Sequence, residues 1–279
     1  MISVSSQLED MRYPTAIRED EYINKDGLIY CRVCHTSRQK RLENFGKPMA
    51  PRCYCKCQAA AYEKREEERK QRDLMDKIAK NRSVGLPDPI LRAHTFQNDL
   101  GYNPRQLDEA KRYVQHWEQF RDSGTGLLLW GNVGTGKSFI AGCIANALLD
   151  KGIPVIITNF TRLLNKLTDL YTGDRNAYID SFNRYPLMII DDFGIERNTE
   201  FALEQVFSII DSRCRSQLPF IVTTNLTLDE LNNPEELAQA RIYSRVTERC
   251  VPICVDNQNI RQLNQAETIA RAKQLLRGT

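Results

Sequence analysis

At 279 residues, 41% of them hydrophobic and 27% charged, the chain is long enough for one full α/β domain and a smaller module. A net charge of +3 is too small to mark a nucleic-acid-binding protein by itself, and no apolar run reaches the roughly 18 residues that a membrane-crossing helix requires. The first residues carry Asp and Glu and lack a basic-then-apolar export signal, so the chain is expected to stay in the cytoplasm, its nine cysteines reduced or metal-bound.

Residues 1–58 are polar and turn-rich and hold five of the nine cysteines, between Cys31 and Cys57. Cys31-x-x-Cys34 has the spacing of half a zinc knuckle, and Cys53, Cys55 and Cys57 alternate farther on, giving five candidates for four tetrahedral positions. Thiolates alone saturate Zn²⁺, so such a site is structural and would fold a segment with little core of its own. Arg38, Lys40, Arg41, Lys47 and Arg52 surround the cysteines, either as a solvated face or to meet an acidic partner or a phosphate backbone.

Residues 59–90 are predicted to be a charged helical linker. From Ala59 to Asn81 the chain has strong helix formers, no Gly or Pro, and opposite charges three or four apart; Gly85-Leu86-Pro87-Asp88-Pro89 ends the helix.

Residues 91–279 alternate strand and helix signals. Gly126 to Trp130 is an apolar strand, followed by a helix from Lys137 to Asp150; Pro154 to Thr158 is a second strand, then a helix from about Thr161 to Tyr171. Leu187 to Ile190 is a third strand, the stretch Leu203 to Arg213 a helix, and Phe220 to Thr224 a fourth strand. Continuous apolar strands separated by helices predict a parallel sheet covered on both faces.

Between the first strand and its helix, Gly131-Asn132-Val133-Gly134-Thr135-Gly136-Lys137-Ser138 matches the phosphate-binding pattern G-x-x-x-x-G-K-[ST]. Glycines let successive backbone N–H groups turn toward phosphate oxygens, Lys137 would reach the β and γ phosphates of ATP, and the Ser138 hydroxyl would ligate Mg²⁺. The third strand ends in Asp191 and Asp192: Asp191 would hold the Mg²⁺, and Asp192 stands where a base orients an attacking water. A glutamate is commoner there, so slow hydrolysis is expected. Asp191 to Gly194 also fits the D-x-x-G of GTPases, but no Asn-Lys-x-Asp guanine-reading motif occurs. Asn225, at the tip of the fourth strand, takes the place of the sensor 1 residue of AAA+ ATPases.

In this order the elements resemble the DnaC/DnaI-type replicative helicase loaders, close relatives of the IstB transposition ATPases. The resemblance covers about Leu91 to the C-terminus, including Arg92-Ala93-His94-Thr95-Phe96-Gln97-Asn98, similar to a Thr-Phe-x-x-Phe lead-in whose second aromatic is missing here; no adenine contact is assigned. It implies a P-loop AAA+ sheet sandwiched by helices, with Arg245 as the arginine finger acting on a neighbouring subunit's ATP (Arg241 its rival) and Arg261 as sensor 2. The Cys-Lys-Cys-Gln run resembles the zinc module of phage-type loaders, which implies Cys31, Cys34, Cys55 and Cys57 as the Zn²⁺ ligands, with Cys53 and His35 as spares. Cys143, Cys214, Cys250 and Cys254 stand in apolar contexts and are expected in the core.

The resemblance further implies a weak Mg²⁺-dependent ATPase of a bacterial cell or its phage. Its partners would be a hexameric DNA helicase, gripped by the N-terminal module, and single-stranded DNA, with self-association into rings or helical filaments. The alternative is an IstB-like helper that binds DNA and a transposase. A DnaA-like initiator would need a helix-turn-helix after the ATPase core, and the sequence continues only about 18 residues past Arg261.

Overall fold

The computed structural model describes residues 17–44, 47–194 and 199–277; residues 1–16 and 45–46 of the expected N-terminal module lie outside them. The chain divides into two compact units, the first ending at Met75 and the second beginning at Asp76.

The first unit holds two short antiparallel hairpins, β1 (Glu21–Ile23) with β2 (Ile29–Cys31) and β3 (Leu42–Asn44) with β4 (Lys47–Met49). The helix α1 (Lys56–Gly85) begins in this unit and ends in the second, starting earlier and ending later than the Ala59 to Asn81 stretch read from sequence. Most of α1 is exposed; Ile78 and Gly85 are its buried residues. Few apolar side chains fill the first unit. At its centre lies an ion cluster: Glu21, fully buried, accepts from Arg38 Nη1 at 2.9 Å and from Arg52 at 2.6 and 3.1 Å, and Arg38 also bonds Asp20 at 2.6 Å.

The second unit continues with α2 (Pro89–Arg92), α3 (Pro104–Gln115) and α4 (Trp117–Ser123), then β5 (Gly126–Trp130), α5 (Lys137–Asp150), β6 (Val155–Thr158), α6 (Phe160–Asp169) and α7 (Thr172–Ser181). After β7 (Leu187–Phe193) come α8 (Glu200–Arg215), β8 (Phe220–Thr224), α9 (Leu228–Asn232), α10 (Leu237–Arg249), β9 (Cys250–Cys254) and α11 (Ile260–Arg277). The five strands form one parallel sheet in the order β6-β7-β8-β5-β9. The four strands read from sequence are there, and β9 joins them at the edge. Cys250 is buried in β9, whereas Cys254 is exposed, which corrects its expected core position: it ends an edge strand whose burial does not alternate.

Successive side chains of a strand point to opposite faces, and both faces here are apolar. Leu127, Leu129, Leu187, Ile189 and Ile221 pack under α3 and α5 on one side. On the other, Leu128, Met188, Ile190 and Val222 meet Phe160 and Leu163 of α6, Val206 and Ile210 of α8, and Ile242 and Val246 of α10. The result is the predicted parallel sheet sandwiched by helices. At the N-terminal ends of β7 and β8, the buried Arg213 of α8 donates to the carbonyls of Tyr185 and Pro219 at 2.8 and 2.6 Å, and to those of Phe182 and Pro186 at 3.3 and 3.2 Å. Burial lowers its pKa to about 10, with no carboxylate paired to it among the described residues.

Replacing Arg213 by Met leaves those carbonyls buried without donors. Arg213→Met is expected to lower unfolding stability by about 3 kcal/mol. Urea denaturation reads the change, and an unshifted midpoint would show that the carbonyls find other partners.

Candidate functional site

The sheet's C-terminal edge carries the nucleotide pocket. β5 runs into the loop Gly131–Gly136, where Gly131, Gly134 and Gly136 adopt φ of 141°, 81° and 102°, a region that side-chain-bearing residues avoid. Their turns aim the loop at a cavity of about 670 Å³, lined by the loop residues Val133 to Ser138, by Asp192, Asn225 and Arg261, and by the lead-in residues His94, Leu100 and Tyr102. Asn103, buried, donates from Nδ2 to Thr135 O at 2.8 Å and accepts from Asn257 Nδ2 at 2.7 Å. Ile260 N bonds Gly134 O at 2.9 Å, and Asn132 bonds Asp256. Thus the loop is braced from the lead-in on one side and from residues 256–260 on the other.

Lys137 folds over its own loop, donating to Gly131 O at 2.8 Å and Asn132 O at 2.6 Å. Burial lowers its pKa, and the Asp192 and Asp191 carboxylates oppose that shift. A buried ammonium that donates to two carbonyls can exchange them for phosphate oxygens. Ser138 Oγ donates to Asp191 Oδ1 at 2.8 Å, and Thr223 Oγ1 donates to the same oxygen at 2.6 Å while accepting from Asp192 N at 2.9 Å. Asp192 has φ 58°, at the point where the β7–β8 register shifts between Ile190 and Phe193. Its pKa is raised, first by burial and then by the Asp191 charge, toward the range of a useful base. A hydroxyl and a carboxylate side by side are the hard oxygen donors that suit Mg²⁺.

Lys137, Ser138, Asp192, Asn225 and Arg261 therefore converge on one cavity, and Asp191 stands behind it, bonded to Ser138. Arg245 does not: on α10 it pairs with Asp211 at 3.4 Å and Glu248 at 3.3 Å, and Arg241 lies over the Phe207 ring at 4.9 Å. Sequence reasoning missed Asn103, Asn257 and Thr223. None stands in a motif; only the position of Thr223, two residues before Asn225 in an apolar strand, carried a hint.

In the first unit the sulfurs of Cys31, Cys34, Cys55 and Cys57 lie within 4.8 Å of one another, with Cys55–Cys57 at 3.2 Å and Cys31–Cys57 at 3.5 Å. Four sulfurs around tetrahedral Zn²⁺ stand about 3.8 Å apart, so the cluster is compatible with that ion. Neighbouring thiols push Cys57 up to about 12, while the Thr36 hydroxyl at 3.0 Å holds Cys34 down at about 5. Deprotonating all four would bring like charges together, which a cation between them would offset. Arg38 Nη2 reaches Cys31 Sγ at 3.3 Å, tying the cluster to the buried ion network. Cys53 is exposed and bonds Ser37 O, and His35 faces Tyr22; neither joins the four.

No helix among the described residues is long and apolar enough to cross a membrane. The profile described as "IstB-like ATP binding protein" matches residues 56–268. Replicative helicase loader DnaI of Bacillus subtilis is 27% identical over 214 residues, covering 71% of this chain and 66% of that protein. Replicative helicase loader DnaC of Escherichia coli is 24% identical over 161 residues, covering 57% and 64%. An ATP-binding protein of a Mycobacterium tuberculosis insertion sequence is 27% identical over 160 residues, covering 54% and 62%. The chain thus spans a little under two thirds of the length of these relatives. A crystal structure of DnaI superposes with a TM-score of 0.52 at 23% identity, covering 62% of this chain and 93% of that one, so the two share a fold.

Burial alone would raise the Glu21 pKa, but hydrogen bonds from Arg52, the Arg18 N–H and Arg38 bring it from 4.5 down to about 2. A carboxyl depressed on folding stabilises above its unfolded pKa and loses that contribution as pH falls through the folded one. The first unit is therefore expected to hold its stability at neutral pH and lose it between about 4.5 and 2, a loss that Glu21→Gln removes from the profile. Near-ultraviolet circular dichroism against pH decides it; an identical acid limb in both proteins would exclude Glu21 as the cause.

Proposed function

The chain belongs to the IstB-like ATP-binding protein family, and we propose that within it this protein is an ATP-switched replicative helicase loader. One observation carries the reading above the rest: a four-thiol cluster precedes an ATP site in a chain that matches a helicase loader over 71% of its length. IstB-like transposition helpers are not expected to carry such a module. Residues 1–58 would grip a hexameric helicase, 59–90 connect, and 91–279 bind ATP and single-stranded DNA, in the bacterial cytoplasm. Zn²⁺ on Cys31, Cys34, Cys55 and Cys57 would be structural.

In the ATP site Ser138 and Asp191 would hold Mg²⁺, which when bound offsets charge on the β and γ phosphates. The loop amides from Val133 to Ser138 cradle phosphate oxygens, and Lys137 exchanges its two carbonyl partners for them. Asp192 accepts the proton of the attacking water while Asn225 orients that water or the γ-phosphate. Arg261, from the same subunit, would fork onto the developing charge. Because aspartate is one methylene shorter than glutamate, hydrolysis is slow, which suits a timer.

Arg245 would complete the site of a neighbouring copy. Its Asp211 and Glu248 partners are reached at 3.3–3.4 Å on a partly exposed face, so it exchanges them readily. Head-to-tail stacking that brings it to the next γ-phosphate gives an open helix or a ring. Arg245→Ala is then expected to keep ATP binding and lose DNA-stimulated hydrolysis by about a hundredfold or more. Equal phosphate release from both proteins would shift the role to Arg241 or remove it.

The loader reading is tested by affinity capture from bacterial extract with ATP present, wild type beside Lys137→Ala. Retention of a hexameric replicative helicase, with release altered by Lys137→Ala, is the expected result. Retention of a transposase in its place would make the protein a transposition helper.

A further inference from the structure

In the first unit, Arg18, Arg38, Arg52 and Tyr54 line a cavity of about 440 Å³. Glu21 and Asp20 neutralise two of the three guanidinium charges. Arg18, exposed at the rim, has no carboxylate within ion-pair distance among the described residues and carries the third. At the same mouth Tyr54 is 66% exposed and stacks on Tyr62, itself 51% exposed, with ring centroids 5.7 Å apart and planes tilted by 25°. Tyr62 projects from α1, so one ring is backed by a helix and the other lies open beside the guanidinium groups.

Two stacked aromatics that still expose more than half of their surface need a reason, because water is a poor neighbour for a ring face. An acidic peptide would answer the arginines but leave the rings unused. A flat aromatic base bearing a phosphate answers both, with the base extending the Tyr62–Tyr54 stack and the phosphate meeting Arg18. Stacking uses the π face that every base has, so recognition would tolerate any sequence.

We infer that the cysteine-bearing module is itself a contact for single-stranded nucleic acid, through Tyr54 stacked on Tyr62 and a phosphate held by Arg18. The inference rests on the loader reading insofar as that reading brings the protein to single-stranded DNA. It puts a contact in the first unit, apart from the strand-sensing role assigned to the ATPase domain. One strand would then be held at two places on one polypeptide, raising its effective concentration at each.

The test titrates full-length, zinc-loaded protein into a fluorescently labelled oligothymidylate and reads anisotropy, with zinc content and ATP affinity measured on each variant as checks of folding. Tyr54→Ala is expected to weaken binding about tenfold and Tyr54→Phe to preserve it. Arg18→Ala should flatten the slope of log affinity against log salt by about 0.7, the mark of one lost phosphate contact on a single strand. Both residues are exposed, so substitution should leave zinc content unchanged. Wild-type affinity in a Tyr54→Ala, Arg18→Ala double variant overturns the inference. So does loss of helicase capture with oligonucleotide affinity intact, which would assign the patch to the helicase. If wild type fails to bind the oligonucleotide the inference also falls, while helicase capture by the same preparation leaves the loader reading standing.

Discussion

The Asp191 carboxylate accepts hydroxyl hydrogen bonds from Ser138 in the first turn of α5 and from Thr223 in β8, both on Oδ1. In the sheet, β8 separates β5 from β7, so the phosphate loop and the acid-bearing strand are not neighbours. Their chemistry has to be joined across the intervening strand. Thr223 does this: it fixes the orientation of one carboxylate and, through the Asp192 N–H, the backbone of the next. A left-handed conformation at Asp192 would otherwise cost about 1 kcal/mol, and the hydrogen bond to Thr223 helps hold it. Two acids that follow each other in sequence thereby acquire different surroundings, Asp191 sharing hydroxyls and Asp192 facing the cavity with a raised pKa.

The loop depends on its supports as much as on its glycines. Asn103, itself held by Asn257, bonds one side of it, and the Ile260 N–H holds Gly134 from the other, one residue before Arg261. A side chain at Gly134 would run into Asn259, so the close approach of the C-terminal segment is itself a demand for glycine. A phosphate entering the loop would act on the same backbone that seats α11. The residue assigned to sense the γ-phosphate is thus tied to the loop by the main chain.

How far the sequence spoke depended on whether the physics was local. Gly126–Trp130, Lys137–Asp150 and Phe220–Thr224 have the expected bounds because each is a mostly apolar stretch with a clear stop. The sheet's fifth member was illegible: in Cys250–Cys254 a proline and an irregular inside–outside pattern erase the signature of a strand, and only pairing with β5 makes it one. Pro104–Gln115 and Trp117–Ser123 went unassigned, although Leu107, Ala110, Tyr113 and Val114 mark one buried face of the first. The phosphate loop and the acid pair were readable because backbone chemistry dictates them. The bracing residues were not, because an asparagine such as Asn103 reads as a turn former until its partners 32 and 154 residues away are known. In the thiol cluster, Cys53 and Cys57 were equal by spacing, and family resemblance separated them; the fold gathers Cys57 and leaves Cys53 outside.

Cys55 and Cys57 flank Lys56, the first residue of α1. Starting a helix is unfavourable because several dihedral angles must be fixed before the first hydrogen bond repays them, and α1 has few buried side chains to help. An ion that draws two thiols of that opening turn to Cys31 and Cys34 would serve as the seed from which the remaining turns zip. Chelation would then unravel α1 from its first residue onward, so the metal would govern the stiffness of the rod as well as the integrity of the module.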